Sequence, residues 1–230
     1  MTLENRVVVI SGVSGATGQL AAKAFAERGA SLVLLGRDQP KLDALAAELG
    51  LPEGRILARA ADLGQRDAVF QTARAVQAKF GRADMLLHLV GGWTGGKTLL
   101  ETPAEDLQEM LDQHLWTTFH MTQAFLPLLA QNTWGRVIAI SSPLATRPSA
   151  KMGAYAIGKA AEETLLLTLA QEAIDKGVTA NILQVRSIDV KNEGKGTAPA
   201  EIVAAILYLC SEEAGKVNGA RIPLTGNAAG

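Results

Sequence analysis

The stretch Ser11-Gly12-Val13-Ser14-Gly15-Ala16-Thr17-Gly18 decides the fold. It follows directly on the short apolar run Arg6–Ile10. Behind it Leu20, Ala21, Ala24, Phe25 and Arg28 recur at helical spacing until Gly29. A strand, a glycine-rich turn and an amphipathic helix, in that order, put the turn at the carboxyl end of a sheet, where open α/β folds bind ligands. Glycine allows a sharp turn and lets a pyrophosphate approach the main chain, while the first N–H groups of the helix meet its negative charge. Gly12, Ser14, Gly15, Thr17 and Gly18 are therefore candidate dinucleotide-binding residues.

Outward from this turn the chain alternates. Apolar runs at Ser31–Leu35, Arg55–Ala60, Met85–Val90, Arg136–Ile140, Val178–Val185 and Ala220–Leu224 read as strands. Between them lie helical patterns, among them Leu42, Leu45 and Leu49 after Pro40, and Val69, Ala73, Val76 and Phe80 closed by Gly81. Thr102-Pro103-Ala104-Glu105 reads as a capping box opening a helix to about Leu126; Tyr155–Asp175 and Ala200–Ser211 complete the set. Strands apolar throughout and separated by helices predict an α/β protein, a parallel sheet covered on both faces. Pro223 cannot donate to a ladder, which places the last strand at an edge. No linker or repeat interrupts the pattern, so a single domain is expected over 1–230.

Composition narrows the function. The 230 residues are 48% hydrophobic with a net charge of −1, which offers no basic stripe for nucleic acid. The single cysteine, Cys210, lies in the apolar run Ile206–Cys210 and reads as a small buried hydrophobe. The start of the chain carries no secretory pattern and no apolar run approaches a membrane span, so a cytoplasmic protein is expected. His, Cys and carboxylates show no metal-site spacing, and no metal is expected.

After the second strand comes Leu34-Leu35-Gly36-Arg37. An acid here would accept from an adenosine ribose and repel a 2′-phosphate. Glycine followed by arginine, whose planar fork suits phosphate, predicts NADP(H) in preference to NAD(H). Asp62-Leu63 follows the third strand, and the acid reads as a helix cap.

Ser141-Ser142 and Tyr155-Ala156-Ile157-Gly158-Lys159 carry the chemistry. Tyr155 and Lys159, four apart, share one helix face. A free phenol ionises near about 10, and a neighbouring ammonium favours the phenolate. A strand-end serine hydroxyl can hold a substrate oxygen against that phenol while hydride passes between nicotinamide and carbon. With the serine thirteen residues before the tyrosine and the glycine turn at the start, the chain from Val7 to about Gly226 resembles the short-chain dehydrogenase/reductase superfamily. The resemblance implies a Rossmann-type doubly wound sheet of about seven strands in the order 3-2-1-4-5-6-7. It implies Ser142 as the substrate-orienting hydroxyl, with Ser141 the alternative, Tyr155 as acid/base, and Lys159 tuning it and binding the nicotinamide ribose. For Asp62-Leu63 it implies, in place of a helix cap, a pair flanking the adenine. It also implies a small-molecule substrate and a homodimer or homotetramer built on the helices around Leu107–Leu126 and Tyr155–Ala173.

Three departures from that family stand out. His88-Leu89-Val90-Gly91 replaces an Asn-Asn-Ala-Gly segment, leaving Val90 and Gly91 as cofactor-facing backbone. His114 stands where an asparagine usually completes a water-linked proton relay. It reads either as a proton carrier titrating near neutrality or as a packed substitute. Val185-Arg186 replaces Pro-Gly, and the segment from Ser187 to Pro199 is short and polar for a lid, which implies a small or externally covered substrate site. Val90-Gly91-Gly92-Trp93-Thr94-Gly95-Gly96 is similar to the matching stretch of dihydropteridine reductases, so reduction of a quinonoid pterin stands as an alternative, with Trp93 either stacking on a flat ring or walling the loop. A non-catalytic dinucleotide-binding sensor or scaffold is the rival from another class.

Overall fold

In the parallel sheet every strand needs apolar side chains on both faces, and the chain supplies them in continuous runs. The computed structural model describes residues 2–226, so the ends of the expected 1–230 domain, residue 1 and 227–230, lie outside the described residues. The strands are β1 (Val7–Ser11), β2 (Ser31–Gly36), β3 (Ile56–Ala60), β4 (Met85–His88), β5 (Gly135–Ser141), β6 (Val178–Gln184) and β7 (Arg221–Pro223). They form one sheet in the order β3-β2-β1-β4-β5-β6-β7, with every pairing parallel, as expected. Pro223 does sit on an edge strand.

Alternation along β1 divides its side chains between two cores. Val7 and Val9 face one core, formed with α3 (Arg66–Phe80), α5 (Thr117–Leu129) and α6 (Gly153–Glu172), where Val76, Phe125 and Leu166 are buried. Val8 and Ile10 face the other, formed with α1 (Ala16–Ala26), α2 (Gln39–Leu49) and α7 (Pro199–Leu209), where Phe25, Leu42 and Ile206 are buried. Cys210 ends α7 fully buried, and burial pushes its thiol up to about 12.

Two local expectations change. The predicted capping box at Thr102–Glu105 is absent. Thr102 Oγ1 donates to Thr98 O at 2.8 Å, Pro103 caps α4 (Ala104–Met110), and no side chain bonds the helix start. The long helix it was to open is also not uniform. Leu111–Trp116 form a π-helical segment between α4 and α5, and His114 sits in it. Such insertions widen a helix locally and recur at functional sites.

The contact that positions the site is between backbones. β4 ends at His88, two residues before the predicted end, because Leu89 passes directly over the first turn. Leu89 N donates to Ser11 O at 3.1 Å. A Cβ on Gly12, whose φ is +73°, would lie 2.7 Å from Leu89 C and O. A Cβ on Gly18 would lie 2.6 Å from Gly12 O, so this glycine serves helix–strand packing. Gly15 is different, because its Cβ would meet Gly12 O only at 3.5 Å, an ordinary contact. Gly12→Ala is therefore expected to cost about 2–3 kcal/mol, or roughly 5–10 °C of melting temperature, while Gly15→Ala melts within about 2 °C of the parent. Thermal unfolding of the two variants checks the contrast.

Candidate active site

Where strand order reverses between β1 and β4, the chains diverge and open a cleft of about 620 Å³ above the carboxyl ends. Gly12, Ser14, Gly15, Arg37, Asp62, Leu63, Val90 and Gly91 all border it. Gly15 borders the cleft and caps α1 without any side-chain bond, so no side chain occupies the first helical N–H groups. Thr17 and Gly18 do not border it. Both are buried in the α1 packing, and Thr17 Oγ1 has no partner among the described residues.

The β2 end is arranged for an anion. Arg37 is exposed at the rim, with no ion pair among the described residues. The neighbouring acid is already engaged. Asp38 Oδ1 accepts from Lys41 N at 3.2 Å to cap α2, and its Oδ2 lies 3.0 Å from Lys41 Nζ. The lysine's hydrogen bond holds this carboxyl below its usual range. Gly36 has little room for a side chain, since a Cβ would meet Ser14 Oγ at 3.2 Å and Leu42 Cδ2 at 3.3 Å. Asp62 Oδ1 accepts from Gly64 N at 3.0 Å and so forms a turn, not the expected helix cap, since Gln65 caps α3 without a side-chain bond; Asp62 still borders the cleft.

A second cavity of about 450 Å³ shares the segment Leu89–Trp93 with the first. Tyr155 and Lys159, from the first turns of α6, both line it, as do Ser141, Trp93 and Arg186. Lys159 is buried and donates to Ile140 O at 2.8 Å and to Glu162 Oε2 at 2.7 Å. Two of its three N–H groups are thus committed to the protein. The serines behave differently from one another: Ser141 lines this cavity, whereas Ser142, the expected substrate hydroxyl, is buried and borders neither cavity. Ser142 Oγ accepts from Leu144 N at 3.3 Å, which orients the hydroxyl and leaves its proton to donate. Ser141 Oγ is buried with no partner.

His114 packs edge-on to the Tyr155 ring, with centroids 5.6 Å apart, and borders neither cavity. Its Nε2 lies 3.2 Å from Gly92 O; a carbonyl only accepts, so Nε2 carries the proton and the unpartnered Nδ1 is bare. Burial, and then the Lys159 charge, lower its pKa to about 3. This corrects the expectation of titration near neutrality. Gly158 allows the approach, since a Cβ there would lie 2.8 Å from Met110 O and 3.1 Å from His114 Cδ2.

Sequence reasoning did not find the polar layer beneath this site. His88 Nδ1 lies 2.8 Å from Ser11 Oγ and its Nε2 3.2 Å from Thr117 Oγ1. Thr117 spends its proton on Gln113 O at 2.7 Å, so it accepts from His88. Burial, aided by Lys159, lowers the His88 pKa to about 3 as well. Glu162 and Glu163, both buried in α6, were also missed; the available signal was Glu162 at the i+3 position from Lys159. Among the described residues no cluster of three or more His, Cys, Asp or Glu is placed to hold a metal, and no helix is long and apolar enough to cross a membrane.

The family model described as short chain dehydrogenase matches residues 6–198. An uncharacterized oxidoreductase of Escherichia coli (strain K12), YciK, is 27% identical over 233 residues, covering 94% of this chain and 90% of that protein. The meso-2,3-butanediol dehydrogenase of Serratia marcescens is 29% identical over 247 residues, covering 99% and 96%. The NADPH-bound structure of a short chain oxidoreductase from Pseudomonas aeruginosa PAO1 superposes with a TM-score of 0.90 at 24% identity, over 99% and 98% of the chains, a likeness of fold.

The two neutral histidines make stability depend on pH. In the unfolded chain each takes up a proton near 6.5, whereas in the native state each resists until about 3. Their contribution is therefore complete above 6.5 and is lost as pH falls towards 3. As pH falls from 6.5 to about 5, each should cost about 2 kcal/mol. Urea unfolding across this window should show the loss, and His88→Asn should flatten part of it.

Proposed function

We propose that this protein, which belongs to the short-chain dehydrogenase family and is a dehydrogenase/reductase enzyme, transfers hydride between NADP(H) and a small carbonyl or alcohol substrate. One observation carries the reading: Tyr155 and Lys159 line a cavity joined through Leu89–Trp93 to a cleft whose rim holds Arg37.

The residues present fit the dinucleotide. Gly12 and Gly15 leave bare backbone where a pyrophosphate must approach, and the uncapped start of α1 offers N–H donors to it. The Arg37 guanidinium would hold the adenosine 2′-phosphate, with no acid at Gly36 to oppose it and Asp38 engaged elsewhere. Asp62 and Leu63, which border the cleft, would flank the adenine, and Val90 and Gly91 would present backbone to the cofactor. When bound, the nicotinamide supplies the hydride in reduction and accepts it in oxidation.

The chain's own side chains handle the proton. Ser142 donates to the substrate oxygen and fixes it against Tyr155. Tyr155 gives its hydroxyl proton to that oxygen in reduction and takes it back in oxidation. Lys159 keeps one N–H for the nicotinamide ribose, and its charge supports the phenolate. His114, neutral, buried and bordering neither cavity, packs edge-on against Tyr155 as the packed substitute and relays no proton. Trp93, exposed and lining both cavities, favours a flat conjugated carbonyl as a second reading, with a quinonoid pterin as its test substrate. Half-exposed Trp116 and Ile157 support assembly into a homodimer or homotetramer through α5 and α6.

Two sets of variants test the reading. Arg37→Ala should raise the NADPH dissociation constant by about 10–100-fold and leave that for NADH within about 2-fold, measured calorimetrically. Equal losses for both cofactors would remove the 2′-phosphate role. Tyr155→Phe should bind NADPH as the parent does but lose about 10²–10⁴-fold in turnover, and Ser142→Ala about 10²-fold, with Ser141→Ala little changed. The opposite ranking of the serines would move the substrate hydroxyl to Ser141.

A further inference from the structure

Lys159 does not stand alone beneath the cavity. One turn along α6, Glu162 places Oε2 2.7 Å from its Nζ, and the side chains are 4% and 0% exposed. The Glu162 Oε1 faces Thr118 Oγ1 at 3.4 Å, on the helix packed against α6. Taking two charges out of water costs as much as or more than their attraction returns, and an apolar pair of the same volume commonly packs at least as well. A packing role alone therefore gives no reason for a carboxylate here.

Apart from Arg186, which lines the cavity from the exposed segment after β6, the polar groups around the pair are neutral or already matched. His88 on β4 and His114 in the π segment are both uncharged. Ile140 on β5 contributes a carbonyl, and Thr118 on α5 a hydroxyl. Glu163, next along α6, accepts from Gln184 on β6 at 2.9 Å and from Arg221 on β7 at 2.5 Å. Among the described residues Glu162 is therefore the one carboxylate paired with the Lys159 ammonium.

Resting on the reading of Tyr155 and Lys159 above, we propose that Glu162 is a positioning residue: it anchors Lys159 and offsets its charge, and so sets the pH at which Tyr155 exchanges its proton. An ammonium without its counter-ion favours the neighbouring phenolate more strongly. Removing the carboxylate while keeping the lysine thus moves Tyr155 ionisation to lower pH.

The chain has only two tyrosines, which makes this directly measurable. In a Tyr208→Phe background, the near-ultraviolet absorbance of phenolate reports Tyr155 alone, without substrate or cofactor. Glu162→Gln should lower the titration midpoint by about one pH unit. Glu162→Asp, which draws the carboxylate back by one methylene, should shift it the same way by less. The pH profile of NADPH-dependent reduction of diacetyl should move with the titration, with NADPH affinity within about threefold of the parent. Should Glu162→Gln not fold, Glu162→Asp is judged by the same criterion. A midpoint equal to that of the Tyr208→Phe parent in whichever variants fold overturns the proposal. If Tyr155→Phe reduces diacetyl as fast as the parent, it is the assignment of the acid/base that fails, and the substrate-free titration still decides the role of Glu162.

Discussion

The passage of Leu89 over Gly12 is the contact on which the rest of the site depends. A parallel sheet covered on both faces hides its strand edges in apolar packing, so ligands meet it only where neighbouring chains part at the carboxyl ends. Here β1 turns towards α1 while the chain leaving β4 turns the other way, and the two backbones touch with no side chain between them. That contact fixes the floor of the first cleft and places the segment Leu89–Trp93 as a wall shared with the second cavity. Gly18 continues the constraint by holding α1 against the same turn. Sheet, first cleft and second cavity are thus registered to one another through main-chain atoms, which cannot repack as side chains do.

Around this rigid centre lies a layer of buried polar groups that a core designed only for stability would avoid. Ser11, His88 and Thr117 form one chain of hydrogen bonds, and Lys159, Glu162 and Thr118 another. Glu163, Gln184 and Arg221 extend the layer to the edge strand. Most of these groups have partners, so desolvation is offset, but Ser141 Oγ and His114 Nδ1 are left without any. Both orphans lie close to Tyr155, Ser141 on the cavity wall and His114 against the ring. Unpaired acceptors and hydroxyls in that position are what a reactant or an ordered water would complete.

The architecture was readable because its signal is collective. Seven apolar runs, each confirmed within two residues at its ends, alternate with helices, and no single residue decides the outcome. The glycine turn, Arg37 and the Tyr155–Lys159 pair were legible because their chemistry depends on residue type at short spacing. What escaped depends on context. The Thr102 cap failed because Thr102 turned back to Thr98 O, and Glu101 took the Thr98 N–H and hydroxyl. The π segment carries no composition of its own. The histidine pKa values follow from burial, which spacing alone does not show. Glu162 and Glu163 lie at the middle of α6, and their burial follows from packing against neighbouring elements, which residue type alone does not show.

Cys210 has a consequence of a different kind. It is the chain's only thiol, it closes α7 against the sheet with no exposure, and its ionisation is pushed up to about 12. A thiol reagent needs both access and thiolate, and the native state withholds both. Alkylation can therefore proceed only through molecules in which α7 has come away from the sheet, so its rate counts how often that happens. The protein thus carries its own unlabelled clock for the opening of one face, read without any substitution.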